Sequence, residues 1–128
     1  DPAQIQRLIA GAPAGFQVLS GDDALTLSFM ELGAVGVISV ASNLIPAKLA
    51  MLVSTMLAGD HEKAMQINAE CASLFNGLLS IDTNPVPIKE ALALTGVITN
   101  QLRLPMIGLC DNKRQQLQQI LNELRLTG

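Results

Sequence analysis

The chain has no tryptophan and no tyrosine, and three phenylalanines are its whole aromatic content. Its four lysines and four arginines are scattered, with Lys113 and Arg114 the one adjacent pair, in a chain of net charge −3 and pI about 4.9. A nucleic-acid surface needs a basic stripe for the phosphates and aromatic faces for the bases, so neither composition nor charge points to one. Long hydrophobic runs are also missing. The longest uncharged stretch, Leu32 to Ala47, is broken by Gly33, Gly36, Asn43 and Pro46, and it falls short of the ~20 residues a bilayer-spanning helix requires. No stretch combines a basic region, an apolar core and a small-residue cleavage site, as a secretory leader would.

Cysteine is scarce too. Cys71 and Cys110 share no spacing with each other or with His61, the single histidine, which gives neither a disulfide framework nor a zinc ligand set. Reduced thiols in a cytoplasmic protein are the expectation. Neither glycine-rich phosphate loop, G-x-G-x-x-G or G-x-x-x-x-G-K-[ST], occurs, and the G-x-S-x-G nucleophile elbow is absent. The residues call for no metal and no cofactor.

What is abundant is apolar side chain: 49% of residues are hydrophobic against 15% charged. That is more than a small free-standing core needs, and it suggests a surface made to meet something else. From Phe16 to Val40 the chain reads F-Q-V-L-S-G-D-D-A-L-T-L-S-F-M-E-L-G-A-V-G-V-I-S-V. This is a strand (Phe16 to Leu19), an acidic turn, an amphipathic helix with Leu25, Phe29 and Leu32 on one face, and a second strand (Val37 to Val40). The second strand is apolar on both faces, as a buried parallel strand should be. Asp22 or Asp23 is placed to cap the intervening helix, and Gly33 to end it. The turn Ser20-Gly21-Asp22-Asp23 stands at the carboxyl end of its strand, where parallel α/β folds bind ligands.

Around this unit the signals are helical. Asp1 and Pro2 suit a helix start, with Ile5, Leu8 and Ile9 on one face and Gly11 and Pro13 at the end. Pro46 opens a helix to about Ala58, and Gly59-Asp60 reads as a stop followed by a cap. Residues 60–79, 87–94 and 111–126 carry helical periodicity with no further strand candidate. The boundary near Gly59 is a change of pattern, with no linker.

Four stretches, Leu19-Ser20-Gly21-Asp22-Asp23, Gly36-Val37-Ile38-Ser39-Val40, Asn84-Pro85-Val86-Pro87-Ile88-Lys89 and Leu102-Arg103-Leu104-Pro105-Met106, stand in the order of a known family. The chain resembles the dihydrodipicolinate synthase and N-acetylneuraminate lyase family of Schiff-base aldolases across essentially all of residues 1–128. The resemblance implies an α/β fold, the C-terminal part of a (β/α)8 (TIM) barrel in residues 1–59, followed by a C-terminal three-helix domain in residues 60–128. A complete barrel takes roughly 250 residues. By resemblance the Schiff-base lysine lies on the sixth strand, shortly before Asp1, and a proton-relaying tyrosine lies further upstream. The expectation is therefore the C-terminal half of an enzyme, inactive alone, with no catalytic residue inside this chain and with the N-terminal half of the barrel as its first partner. The implied substrates of the intact enzyme are pyruvate and aspartate semialdehyde, in lysine and diaminopimelate synthesis, in a homo-oligomer of the tetramer kind. A sugar-acid aldolase or lyase of the same family is the alternative within the fold, and a non-catalytic assembly module the alternative outside it.

Five residues carry the implied pocket wall. Gly21 lets a ligand approach the backbone closely, and Asp22 and Asp23, besides capping, lie by resemblance on the aldehyde side. The Ile38 side chain is expected in the core, while its backbone carbonyl is implied to sit against the pyruvate-derived Schiff base. Asn84 is first a turn residue, held extended by the following proline, and by resemblance shapes the pocket mouth. A Schiff-base lysine needs a depressed pKa. Lys48, Lys63, Lys89 and Lys113 all fall in helical patterns beside polar residues, and each is expected to be a solvated surface lysine. His61 is expected to be exposed.

Overall fold

A computed structural model describes residues 1–126. Six α-helices occur among them: α1 (Pro2–Gly11), α2 (Thr26–Glu31), α3 (Pro46–Leu57), α4 (His61–Ser80), α5 (Val86–Leu94) and α6 (Asp111–Glu123), with a 3-10 turn at Ala41–Asn43. Residues 127 and 128, the end of the expected helical domain, lie outside the described residues.

Where helix ends depend on local chemistry, they fall as the sequence indicates. The Asp1 carboxylate accepts from the Ala3 amide at 3.0 Å, with Pro2 in the first turn. Asp60 caps α4 by accepting from the Lys63 amide at 3.2 Å, and Gly59 takes the positive φ of +81° that lets the chain reverse between α3 and α4. Helix α6 stops at Glu123, short of Leu126, because Arg125 turns left-handed at φ +56°.

The strands differ from expectation. Neither Phe16 to Leu19 nor Val37 to Val40 is a named strand; a single parallel bridge joins Ser20 to Val37. The pairing itself is regular: the Val35 amide donates to the Val18 carbonyl at 2.9 Å, Ser20 to Gly36 at 2.8 Å and Ile38 to Ser20 at 2.8 Å. This is the slanted pattern of two parallel strands. Among the described residues each segment has the other as its only strand neighbour, and Val40 already has the helical φ −79°, ψ −46° that opens the 3-10 turn.

Alternation along this pair puts Val18, Ser20, Val35 and Val37 on one face and Leu19, Gly36 and Ile38 on the other. Val18 and Ser20 are buried, whereas Leu19 is 45% exposed and Ile38 69% exposed. The expected burial of the second strand on both faces, and of the Ile38 side chain in the core, is thus corrected: helices cover one face of the pair, and on the other Gly36 is buried beside Val53 of α3 while Leu19 and Ile38 stay open.

One hydrophobic cluster runs from Phe29 to Leu121 and crosses position 59. Its axis is α4, whose Ala64, Ile67, Cys71, Leu74 and Leu78 recur at three- and four-residue steps on a single face. Helix α3 packs along α4 through Leu49, Leu52 and Met56, and α6 closes the far side with Leu117 and Leu121. Leu52, Leu74, Phe75, Leu117 and Leu121 are fully buried, each contributing ~1.5–3 kcal/mol by leaving water. The 3-10 turn packs on α3, α4 and α5, so the helical layer supports the carboxyl end of the paired segments from below.

Candidate functional site at the carboxyl end of the paired segments

The next rung of the ladder should run from the Asp22 amide to the Ile38 carbonyl. It is not formed, because the Ser20 hydroxyl takes that amide instead. Ser20 Oγ accepts from the Asp22 N–H at 3.2 Å and donates to the Asp22 carbonyl at 2.8 Å, a side-chain turn that lifts the chain out of the ladder. Thr26 Oγ1 donates to the same carbonyl at 3.0 Å, and Asp22 Oδ1 accepts from the Ala24 amide at 2.8 Å. No described residue donates to the Ile38 carbonyl. A backbone acceptor therefore stands unpaired at the carboxyl end of its segment, beside the Gly21-Asp22 turn.

The two aspartates do different work, and neither caps α2. That helix starts at Thr26 behind Leu25, with no side-chain cap. Asp22 serves its own turn. Asp23 is 6% exposed and reaches across to the second segment, where its Oδ2 accepts from the Val40 amide at 3.0 Å and the Ala41 amide at 2.9 Å. These are the leading N–H groups of the 3-10 turn, left orphaned by the backbone as at any helix start. Capping is thus correct in kind but acts on a different element, seventeen and eighteen residues away. Beyond the clamp, Ser39 Oγ accepts from the Ser42 amide at 2.8 Å and Ser42 Oγ donates to the Ser39 carbonyl at 3.0 Å.

Gly21, Asp22, Asp23 and Ile38 are brought together by this geometry. Asn84 lies in the turn before α5, exposed, with no side-chain hydrogen bond among the described residues; it is tied to the site only through the packing of α5 on the 3-10 turn. Beside the paired segments, Leu19, Gly36, Val37, Pro46 and Val53 line an apolar cleft of about 360 Å3.

The lysines are elsewhere. Lys48 pairs with Glu70 on α4, and Lys113 with Asp82 at 2.7 Å. The hydrogen bond to its carboxylate is the main cause that raises the pKa of each, which favours the charged amine, the opposite of what a Schiff base requires. Lys89 donates to the Gln101 carbonyl, and Lys63 is exposed. His61 is exposed in the first turn of α4, Cys71 is buried and Cys110 exposed, both free, and burial pushes the Cys71 thiol up. No group of metal-ligating side chains occurs among the described residues, and no helix among them is long and apolar enough to cross a membrane.

Sequence reasoning missed Ser20 and Glu90. Ser20 is fully buried and is the residue that breaks the ladder; its signal was a hydroxyl placed two residues before an Asp at a strand end. Glu90, 4% exposed, receives Arg114 Nε at 2.8 Å and Asn100 Nδ2, tying α5, α6 and the segment between them. A lone acid among the apolar residues of α5 was the available sign.

A parallel pair backed by helices, with a backbone acceptor and a Gly-Asp turn at its carboxyl end, defines an α/β protein of the kind that binds ligands at strand ends. The chain belongs to the dihydrodipicolinate synthetase family, whose model matches residues 1–124. It is 44% identical over 124 residues to 4-hydroxy-tetrahydrodipicolinate synthase of Chlorobium phaeobacteroides (strain BS1), an overlap of 97% of this chain and 41% of that protein. It is 48% identical over 109 residues to the same-named protein of Protochlamydia amoebophila (strain UWE25), covering 85% of this chain and 36% of that one. Dihydrodipicolinate synthase from Aquifex aeolicus superposes with a TM-score of 0.95 at 36% identity over 98% of this chain and 43% of that chain. The chain therefore spans about two fifths of the length of the relatives it matches.

Proposed function

We propose that this chain is the C-terminal portion of a Schiff-base aldolase that condenses pyruvate with aspartate semialdehyde in lysine and diaminopimelate synthesis. The paired segments are the last two strands of a (β/α)8 barrel in residues 1–59, and residues 60–128 form its C-terminal helical domain. The reaction needs a lysine amine to convert the pyruvate carbonyl into an electron sink, so that the methyl carbon can lose a proton and attack the aldehyde without a metal. That amine and the proton-relaying tyrosine come from the preceding part of the enzyme. This chain contributes the pocket wall: Gly21, Asp22 and Asp23 on the aldehyde side, the Ile38 carbonyl against the Schiff base, and Asn84 at the mouth.

The observation that carries the reading is the unpaired Ile38 carbonyl at the carboxyl end of its segment. Ladder geometry would have consumed it, and Ser20 prevents that. The raised pKa of Lys48 and Lys113 supports placing the reactive amine outside these residues. The open face with Leu19 and Ile38, and the apolar cleft beside it, support strands packed there from the rest of the barrel. The intact enzyme works in the cytoplasm as a homo-oligomer.

The test is borohydride trapping with pyruvate, followed by intact mass, on this chain and on the full-length enzyme. A pyruvate adduct on the full-length enzyme alone is the expected result. An adduct on this chain that peptide mapping places on one of its four lysines, as opposed to the Asp1 α-amine, would overturn the reading.

A further inference from the structure

We propose that Asp23 is the positioning residue that aims the Ile38 carbonyl, a role that rests on the aldolase reading above. Two holds from the first segment flank the Ile38 carbonyl. On its amino side the Ile38 N–H bonds the Ser20 carbonyl at 2.8 Å. On its carboxyl side the hold is the Asp23 carboxylate, which takes the Val40 and Ala41 amides at 3.0 and 2.9 Å. Neither amide has a backbone acceptor, and Ala41 is fully buried, so Asp23 is their sole partner among the described residues.

The two holds come from one short loop. Ser20 and Asp23 are three residues apart and rigidly joined by the Ser20–Asp22 and Thr26–Asp22 bonds. The loop thus grips the second segment before and after the Ile38 carbonyl while leaving that oxygen free. Without Asp23 the first segment holds the second only through the rungs on the amino side of the Ile38 carbonyl, and two N–H groups, that of Ala41 buried, pull the 3-10 turn toward other acceptors. Rotation of the Ile38–Ser39 peptide plane then swings the oxygen sideways, and a displacement of about 1 Å at a reacting centre costs on the order of 100-fold in rate. Asp23 acts through Ile38 and touches no substrate with the oxygen that forms the clamp.

The test uses the full-length enzyme carrying Asp23→Ala, Asp23→Asn or Asp60→Ala. The readouts are the rate of borohydride-trapped pyruvate adduct, kcat and KM for pyruvate, and the thermal midpoint. Asp23→Ala is expected to slow trapping by roughly 10- to 100-fold and raise KM for pyruvate. Asp23→Asn, which keeps an acceptor of the same shape, is expected to restore most of the rate. Asp60→Ala removes a helix cap remote from the site, lowering the midpoint but leaving the trapping rate unmoved. Wild-type trapping by Asp23→Ala overturns the proposal while the aldolase reading stands, as does an Asn variant as slow as the Ala variant. Should Asp23→Ala fail to fold, Asp23→Glu decides, because it keeps the acceptor but displaces it by one methylene: slowed trapping in a folded protein supports the role and wild-type trapping overturns it. Absence of any adduct on the wild-type enzyme overturns the aldolase reading itself, and the proposal with it.

Discussion

Asp22 and Asp23 are adjacent and chemically identical, yet one stays within its own turn and the other crosses to a second segment. Asp22 meets the Ala24 amide two residues on, while Asp23 faces the orphaned amides of the 3-10 turn. Glu70, Asp82 and Glu90 are held by cations. Asp82 pairs with Lys113, and this hydrogen bond, with a second from the Thr83 amide, lowers its pKa. A carboxyl group whose folded pKa is depressed contributes stability that is present above the unfolded value and lost as pH falls through the folded one. Asp82→Asn is therefore expected to lower the thermal midpoint slightly at pH 7, with the difference from wild type vanishing as pH falls below the ordinary aspartate range. A melt series from pH 7 to pH 2.5 checks this; a difference that persists at the acid end would assign the effect to something other than charge. The Lys113 end of the pair explains why an otherwise ordinary lysine is more firmly protonated than usual.

At the scale of elements, the helices are held by how closely α4 and α6 approach. Gly77 on α4 faces Ile120 on α6, and a Cβ at position 77 would collide with the Ile120 Cδ1 methyl. Alanine at a helical glycine gains ~0.8–1 kcal/mol in propensity, while overfilling a packed contact costs ~1–3 kcal/mol. Gly77→Ala should thus destabilise by up to about 2 kcal/mol, and adding Ile120→Val, which removes the obstructing methyl, should recover most of it. Urea midpoints of the single and double variants measure both. A Gly77→Ala variant more stable than wild type would mean that Ile120 rotates away without cost. The same approach explains why glycine stands inside a long helix whose ends are otherwise set by Asp60 and the turn at Ile81.

For the whole molecule the decisive feature is an open face. Leu19 and Ile38 share one side of a two-segment pair whose outer edges lack partners among the described residues, and such edges and apolar faces recruit other chains. This chain by itself is expected to self-associate, with apparent mass in light scattering rising with concentration. Ile38→Ser should reduce that association without lowering the thermal midpoint, since a side chain 69% exposed contributes little to the chain's own core. On the half-barrel reading the same substitution in the full-length enzyme should lower the midpoint, because further strands would cover the face there. A compact monomer at all concentrations would count against the half-barrel reading.

The sequence by itself determined whatever rests on near neighbours. The Asp1 and Asp60 caps, the Gly59 reversal, the Pro46 helix start and the periodic face of α4 are set within a turn or two of the residues concerned, so they can be read from the string. The tertiary structure alone decided where Asp23 spends its carboxylate, that Ser20 frees the Ile38 carbonyl, and that Ile38 lies open. The first two depend on how segments far apart in the chain come together, and the third on the lack of a neighbouring strand among the described residues. A hydrophobic pattern says that a side chain wants burial, but only the packing of the whole chain says whether anything is there to bury it.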